Sequence, residues 1–176
     1  MPKHLIGSLR EPEDRNRIPS LGEIGLNQFA PFLINRISAT YNTFLQDQLK
    51  PYDLTTAKMR ALLLLTISPG LTVNDLAYLA VVEQSTMSRN LDALEGQGYV
   101  RRQSRADDMR VRELHITDQG RMAVQDFWPV LYGLYADLFE GVDADEYDRF
   151  IDTLHKVMRN MLKRSHSDIE TDGTPD

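Results

Sequence analysis

From Phe29 onward apolar residues recur at helical spacing, with Phe32, Leu33, Ile37, Tyr41, Phe44, Leu45 and Leu49 leading up to Pro51. This predicts a helix that tolerates Pro31 in its first turn and stops at Pro51. Thr55 offers a cap for a second helix over residues 57–67, which Pro69 and Gly70 end. Between residues 71 and 117 the elements shorten. Thr72 and Asp75 have capping-box spacing ahead of a helix whose apolar edge is Leu76 and Leu79. Beyond the link Ala80-Val81-Val82, Met87, Leu91 and Leu94 fall at i, i+4 and i+7 of another helix. Gln84, Ser85, Thr86, Ser88 and Arg89 are spread around its beginning and its other faces, and Gly96 and Gly98 end it. Residues 99–103 and 111–116 then read as two extended runs around a polar tip, a β-hairpin in which Val111, Glu113 and His115 alternate with Arg112, Leu114 and Ile116.

After the hairpin, Thr117 or Asp118 starts a long helix to about Phe139, with Met122, Val124, Phe127, Val130, Leu131, Leu134, Tyr135 and Leu138 apolar. Pro129 inside it predicts a kink. Gly141 breaks the pattern, and Asp143 caps a last helix bearing Tyr147, Phe150, Ile151, Leu154, Val157, Met158, Met161 and Leu162. Residues 1–25 show no helical period and read as a flexible arm, and residues 165–176 as a disordered tail. The expected fold is mainly α with a small β-hairpin wing: a winged helix-turn-helix over residues 55–117, flanked by an N-terminal helix (residues 26–54) and C-terminal helices (residues 118–164). Those flanking helices carry more apolar surface than a small winged domain can bury, which predicts a symmetric dimer through both ends of the chain rather than an intrachain bundle.

Charge changes this picture only through its distribution. The net charge of -6, taken alone, argues against nucleic-acid binding, because phosphate neutralisation by Lys and Arg supplies most non-specific affinity. Yet residues 84–112 hold six arginines (Arg89, Arg101, Arg102, Arg105, Arg110, Arg112) against four carboxylates (Asp92, Glu95, Asp107, Asp108), a local excess of +2 that leaves -8 for the rest. An acidic body with a basic reading head suits a salt-sensitive, sequence-specific DNA binder. The absence of cysteine excludes disulfides, thiolate metal sites and a thiol peroxide sensor. His4, His115, His155 and His166 show no metal-ligand spacing, and no cofactor is expected. No run of 18 apolar residues and no signal-peptide core are present, so a cytoplasmic protein without membrane association is expected.

The segment QSTMSRNLDALEGQGYVRR (residues 84–102) and the segment DDMRVRELHITDQG (residues 107–120) resemble the MarR (multiple antibiotic resistance regulator) family of dimeric bacterial transcription factors. Residues 107–120 are similar to that family's wing signature of Asp-x-Arg, a Leu, then Thr-x-x-Gly. The resemblance covers roughly residues 29–162 in helix order, and only the wing and the helix before it are specific. It implies a homodimer on a pseudo-palindromic operator, a repressor released by a small aromatic or phenolic ligand bound between the domains. It also implies that Arg89 belongs to the reading helix and that Arg110 is the wing-tip arginine of the minor groove.

The DNA-contacting set expected on these grounds is Gln84, Ser85, Thr86, Ser88, Arg89, Arg105, Arg110 and Arg112. Short hydroxyl and amide side chains at a helix start approach bases closely, and a guanidinium can fork to guanine or clamp a phosphate. Arg101, Arg102 and Arg112 read equally well as solvated strand residues. Asp108 is expected to support the wing by holding an arginine such as Arg89 or Arg110. The aromatic residues Phe32, Tyr41, Phe44, Phe127, Trp128 and Tyr132 are candidates for lining a ligand cavity, against the plainer reading of core. Two other functions compete: a winged helix that binds protein, which arginines at both helix and wing tip speak against, and a small enzyme, for which no nucleophile elbow, phosphate loop or metal cluster is present.

Overall fold

The computed structural model describes residues 20–171, with side chains through Lys163 apart from those of Leu21 and Glu23. The element order is α1 (Leu21–Ile24), α2 (Ala30–Leu49), α3 (Thr56–Ile67), α4 (Val73–Ala80), α5 (Gln84–Gly96), β1 (Val100–Ser104), β2 (Arg112–Ile116), α6 (Asp118–Leu138) and α7 (Ala144–Thr171), with a 3-10 turn at Lys50–Tyr52. The fold is mainly helical with one antiparallel hairpin, the winged helix-turn-helix read from the sequence. Two expectations change at the ends. The last stretch of the expected arm contains one helical turn, α1, and α7 runs on to Thr171, into the stretch expected to be tail. The rest of the arm, residues 1–19, and residues 172–176 lie outside the described residues.

Caps and breakers act where the pattern placed them. Pro31 sits in the first turn of α2. The Thr55 hydroxyl accepts the Lys58 N–H at 3.2 Å, and Thr72 and Asp75 form a reciprocal capping box. Asp143 and Glu146 satisfy each other's backbone N–H groups at the start of α7. α6 is continuous through Pro129. No helix among the described residues is long and apolar enough to cross a membrane.

The described residues divide into two compact units, with the boundary between Tyr132 and Gly133. In the first, Leu62, Leu65, Leu76, Met87, Leu91, Leu94 and Leu114 are fully buried, so α3, α4, α5 and the wing close on one core. Phe127 belongs to this unit's core, its ring edge-on to Tyr52 at 6.1 Å, and so fills space rather than lining a cavity. In the second unit an aromatic cluster, Tyr135, Phe139, Tyr147 and Phe150, joins the end of α6 to α7.

Candidate nucleic-acid interface

α5 is seated by its apolar stripe, which turns the opposite edge outward: Met87, Leu91 and Leu94 are buried, while Gln84, Ser85 and Arg89 are exposed and Thr86 and Ser88 half-buried. Its cap is Glu83, a residue outside the usual capping set. One carboxylate oxygen accepts the Thr86 N–H at 3.0 Å and also the Ser85 hydroxyl. These hydrogen bonds, first from Ser85 and then from the Ser85 and Thr86 backbone, hold the Glu83 carboxyl below its ordinary range. With its one proton committed to Glu83, the Ser85 oxygen presents acceptor lone pairs to an incoming group. Arg89 lies back along the helix, its Nε donating to the Ser85 carbonyl at 3.4 Å and Nη2 to the Thr86 hydroxyl at 3.3 Å.

The turn between α4 and α5 is tight because Val81 adopts a left-handed backbone, φ 54 and ψ 51, and its N–H closes on α4 carbonyls. A β-branched residue there stores strain that the flanking helices impose. Nearby, Leu79 is half exposed instead of forming an apolar edge with Leu76. It borders a groove of about 630 Å³ between α2, α3 and the end of α4, together with Asn42, Arg60, Leu63 and Ile67. Arg60 bridges the groove's ends, donating to the Ala80 carbonyl at 3.0 Å and to Asn42 Oδ1 at 3.1 Å.

The wing pairs Val100 with Ile116 through Ser104 with Arg112. Leu71 bridges to Leu114 on the other side, a third short extended segment that the sequence pattern did not signal. The Thr117 hydroxyl anchors the wing to α6: it donates to the Gly98 carbonyl at 2.6 Å and accepts the Gly120 N–H at 3.0 Å. At Gly120 a Cβ would stand 2.2 Å from the Tyr99 carbonyl oxygen, so only glycine lets α6 start this close to the strand. That contact gives the Thr-x-x-Gly spacing a physical cause.

The arginines of the reading head divide into two groups, apart from Arg101, which is exposed and donates to Gln103 Oε1. Arg102 is held by Glu95 and, at 2.6 Å, by Asp92, which ties β1 to α5. Arg105 is held by Glu113 at 2.6 Å, and that hydrogen bond lowers the Glu113 carboxyl and raises the guanidinium. Glu113 also meets His115 at 3.4 Å. By contrast, Arg89, Arg110 and Arg112 are exposed and form no salt bridge among the described residues. Asp108 supports the wing differently from the expectation. Its carboxylate accepts the backbone N–H of Arg110 at 2.9 Å, shaping the turn rather than holding a guanidinium.

The aromatic candidates are dispersed. Trp128 and Tyr132 lie ring to ring at 6.3 Å, half open to solvent. Phe44 is also exposed, and Phe32 stacks under the Arg36 guanidinium at 5.7 Å. Tyr41 is half-buried on α2, and none of the five lines the Arg60 groove. No cluster of three or more potential metal ligands occurs among the described residues.

Two comparisons with known proteins decide the family. A MarR family transcriptional regulator from Silicibacter pomeroyi is 39% identical, with a TM-score of 0.75 and coverage of 81% of this chain and 96% of that one. Another such regulator, from Silicibacter pomeroyi DSS, is 33% identical, also with a TM-score of 0.75, covering 82% and 95%. The chain belongs to the MarR family of transcriptional regulators. The MarR family model itself matches residues 52–110, from the turn after α2 to the wing tip. A MarR family protein of Mycobacterium tuberculosis, solved in complex with salicylic acid, is 27% identical with a TM-score of 0.60, covering 72% and 94%. In this MarR regulator the exposed edge of α5 and the wing tip lie inside the segment that the family model matches.

Proposed function

We propose that this regulator binds a pseudo-palindromic operator as a homodimer, with α5 in the major groove and the wing tip in the adjacent minor groove. The observation that carries the reading is the division of the arginines. Arg89, Arg110 and Arg112 have no salt-bridge partner among the described residues, whereas Arg102 is paired with Asp92 and Glu95 of α5 and Arg105 with Glu113 of β2. A guanidinium unpaired in the free protein is available for a base edge or a phosphate without first breaking an ion pair. Gln84, Ser85, Thr86 and Ser88 contact bases and phosphates from the first turns of α5, and Arg110 enters the minor groove, where negative potential concentrates. Arg105 reaches a phosphate through the Nη groups that Glu113 leaves open. Residues 55–117 form the reading module. The helices on either side dimerise through Ile34, Ile37, Val157 and Met158, which are large, apolar and exposed. Such a protein is a binding protein rather than an enzyme, and it works in the cytoplasm, where a bacterial operator lies.

The effector is a small aromatic acid or phenol, and its release of DNA makes the protein a repressor. The relative's complex with salicylic acid supports that chemistry, and the Arg60 groove supports a place for it. Arg60 offers remaining N–H groups to an anion between the apolar walls of Leu63, Ile67 and Leu79. An anion drawing on Arg60 also loosens its hold on the Ala80 carbonyl, at the turn that sets the angle of α5. A ligand shifts such an equilibrium only by its differential affinity for the two arrangements. Phe32, Tyr41, Phe44, Trp128 and Tyr132 we assign to the surface that dimerisation covers, with an effector there as the competing placement.

Selection of bound sites from random duplex DNA by the full chain tests the reading. The expected product is an inverted repeat whose half-sites lie one helical turn apart, bound with affinity that falls steeply as salt rises. Recovery of no enriched sequence, or salt-insensitive association, overturns it.

A further inference from the structure

The apex of the wing carries a side chain to which the proposed function gives no part. Residues 108–111 form a β-turn in which the Val111 N–H donates to the Asp108 carbonyl at 3.0 Å, and the Asp108 carboxylate takes the Arg110 N–H inside the same turn. Below it, the Arg105 N–H donates to the Val111 carbonyl at 3.0 Å and closes the loop. The two central positions of this doubly fastened turn are Met109 and Arg110, neither with a positive φ. Met109 is 72% exposed and is the one large apolar side chain between Ser104 and Arg110. A single exposed methionine on a protein surface means little. This one stands beside an arginine without a salt-bridge partner, on a turn whose backbone is already fixed, so presenting it to DNA costs only the ordering of its own side chain.

We propose that Met109 is a second reading residue of the wing: it seats against the floor and sugar walls of the minor groove beside Arg110 and selects A·T pairs against G·C at that position. The inference rests on the placement of the wing in the minor groove. There, an A·T pair shows only acceptors, whereas a G·C pair adds the guanine 2-amino group, which projects from the floor. A thioether is a weak acceptor. Covering the amino group with Met109 would strip it of water and return no adequate hydrogen bond, while covering an A·T pair buries methylene and methyl surface without trapping a donor. Other minor-groove binders also place apolar side chains in this groove, there as wedges between base steps. Arg110 responds to something different, the width and potential of the groove over several base pairs. An inosine·C pair separates the two, because it lacks the 2-amino group yet keeps the other groups of a G·C pair.

The test takes one operator selected from random sequence and places A·T, G·C or inosine·C at each position under the wing. Full-length wild type, Met109→Ala, Met109→Leu and Arg110→Ala are titrated against each duplex at fixed salt and across a salt series. Wild type is expected to bind the A·T and inosine·C duplexes alike and the G·C duplex about three- to tenfold more weakly. Met109→Ala should lose most of that discrimination with its salt slope unchanged, because no charge is removed, and Met109→Leu should keep it. Arg110→Ala, which removes one charge from each protomer of the dimer, should lower the salt slope by about two. Undiminished rejection of G·C by Met109→Ala, or equal rejection of inosine·C and G·C by wild type, overturns the proposal. If Arg110→Ala also leaves affinity and slope unchanged, the placement of the wing itself fails.

Discussion

The α3–β2 core and α7 are built from equally regular apolar patterns and end in opposite states. In the core, Leu62, Leu76, Met87, Leu91 and Leu114 leave no area open to solvent. Along α7, whose apolar stripe runs from Tyr147 to Leu162, no described side chain is buried, and Met158 is 60% exposed. The first pattern is satisfied by other parts of the same unit, the second only in part by the end of α6. Periodicity therefore reports which face a helix offers and says nothing of who covers it. A closed core beside an open stripe is how one chain can both fold a reading module and reserve surface for a second copy.

Four experiments act on that contrast. The largest effect is expected from Leu91→Ala, which opens a cavity in the closed core: a loss of about 2–5 kcal/mol in denaturant unfolding compared with wild type at the same protein concentration. A cost below about 1 kcal/mol would mean that the core is loosely packed around α5. Next, Ile37→Asp on α2 and Met158→Asp on α7, tested separately, should weaken self-association roughly 30-fold or more in sedimentation while leaving the helix content of the diluted protein unchanged. A dimer of undiminished affinity in both variants would assign the stripe to something other than a second copy.

The third experiment sharpens the comparison at the reading edge. Arg89→Ala should cost about 1–3 kcal/mol of operator binding per half-site and relax preference at one base pair of each if the guanidinium reads a base edge. Equal loss over all single-base operator variants would reassign it to a phosphate, and no loss would put the wrong edge of α5 against DNA. The smallest effect concerns the α5 cap. The Glu83 carboxyl is lowered from its ordinary 4.5 by its hydrogen bonds, so its stabilisation is complete above that value and is lost as pH falls through the depressed folded value. Unfolding midpoints measured from about pH 6 down to pH 3 should fall less steeply in Glu83→Gln than in wild type, the remaining slope coming from groups such as Asp75 and Glu113. Identical slopes would show that the cap does not titrate with folding.

The sequence by itself determined the main helices, the hairpin and their order. Thr55, Thr72 and Asp143 mark helix starts because a capping side chain acts within three residues of its own position. Met87, Leu91 and Leu94 mark the seat of α5 because burial follows the period of the helix. The tertiary structure alone decided which charges are free. Arg102 and Arg105 read, one residue at a time, like Arg110 and Arg112. What separates them is that the turn after α5 brings Asp92 and Glu95 to Arg102, and the hairpin brings Glu113 to Arg105. Glu83 as a cap and Asp108 as a turn brace act within three residues and were hidden for another reason: glutamate lies outside the usual capping set, and an aspartate among arginines reads as their ion-pair partner. Leu71 as a third extended segment, like the paired arginines, depends on a contact whose path is set by packing, and pairing energies fall off over a few ångströms, a scale that residue order does not encode.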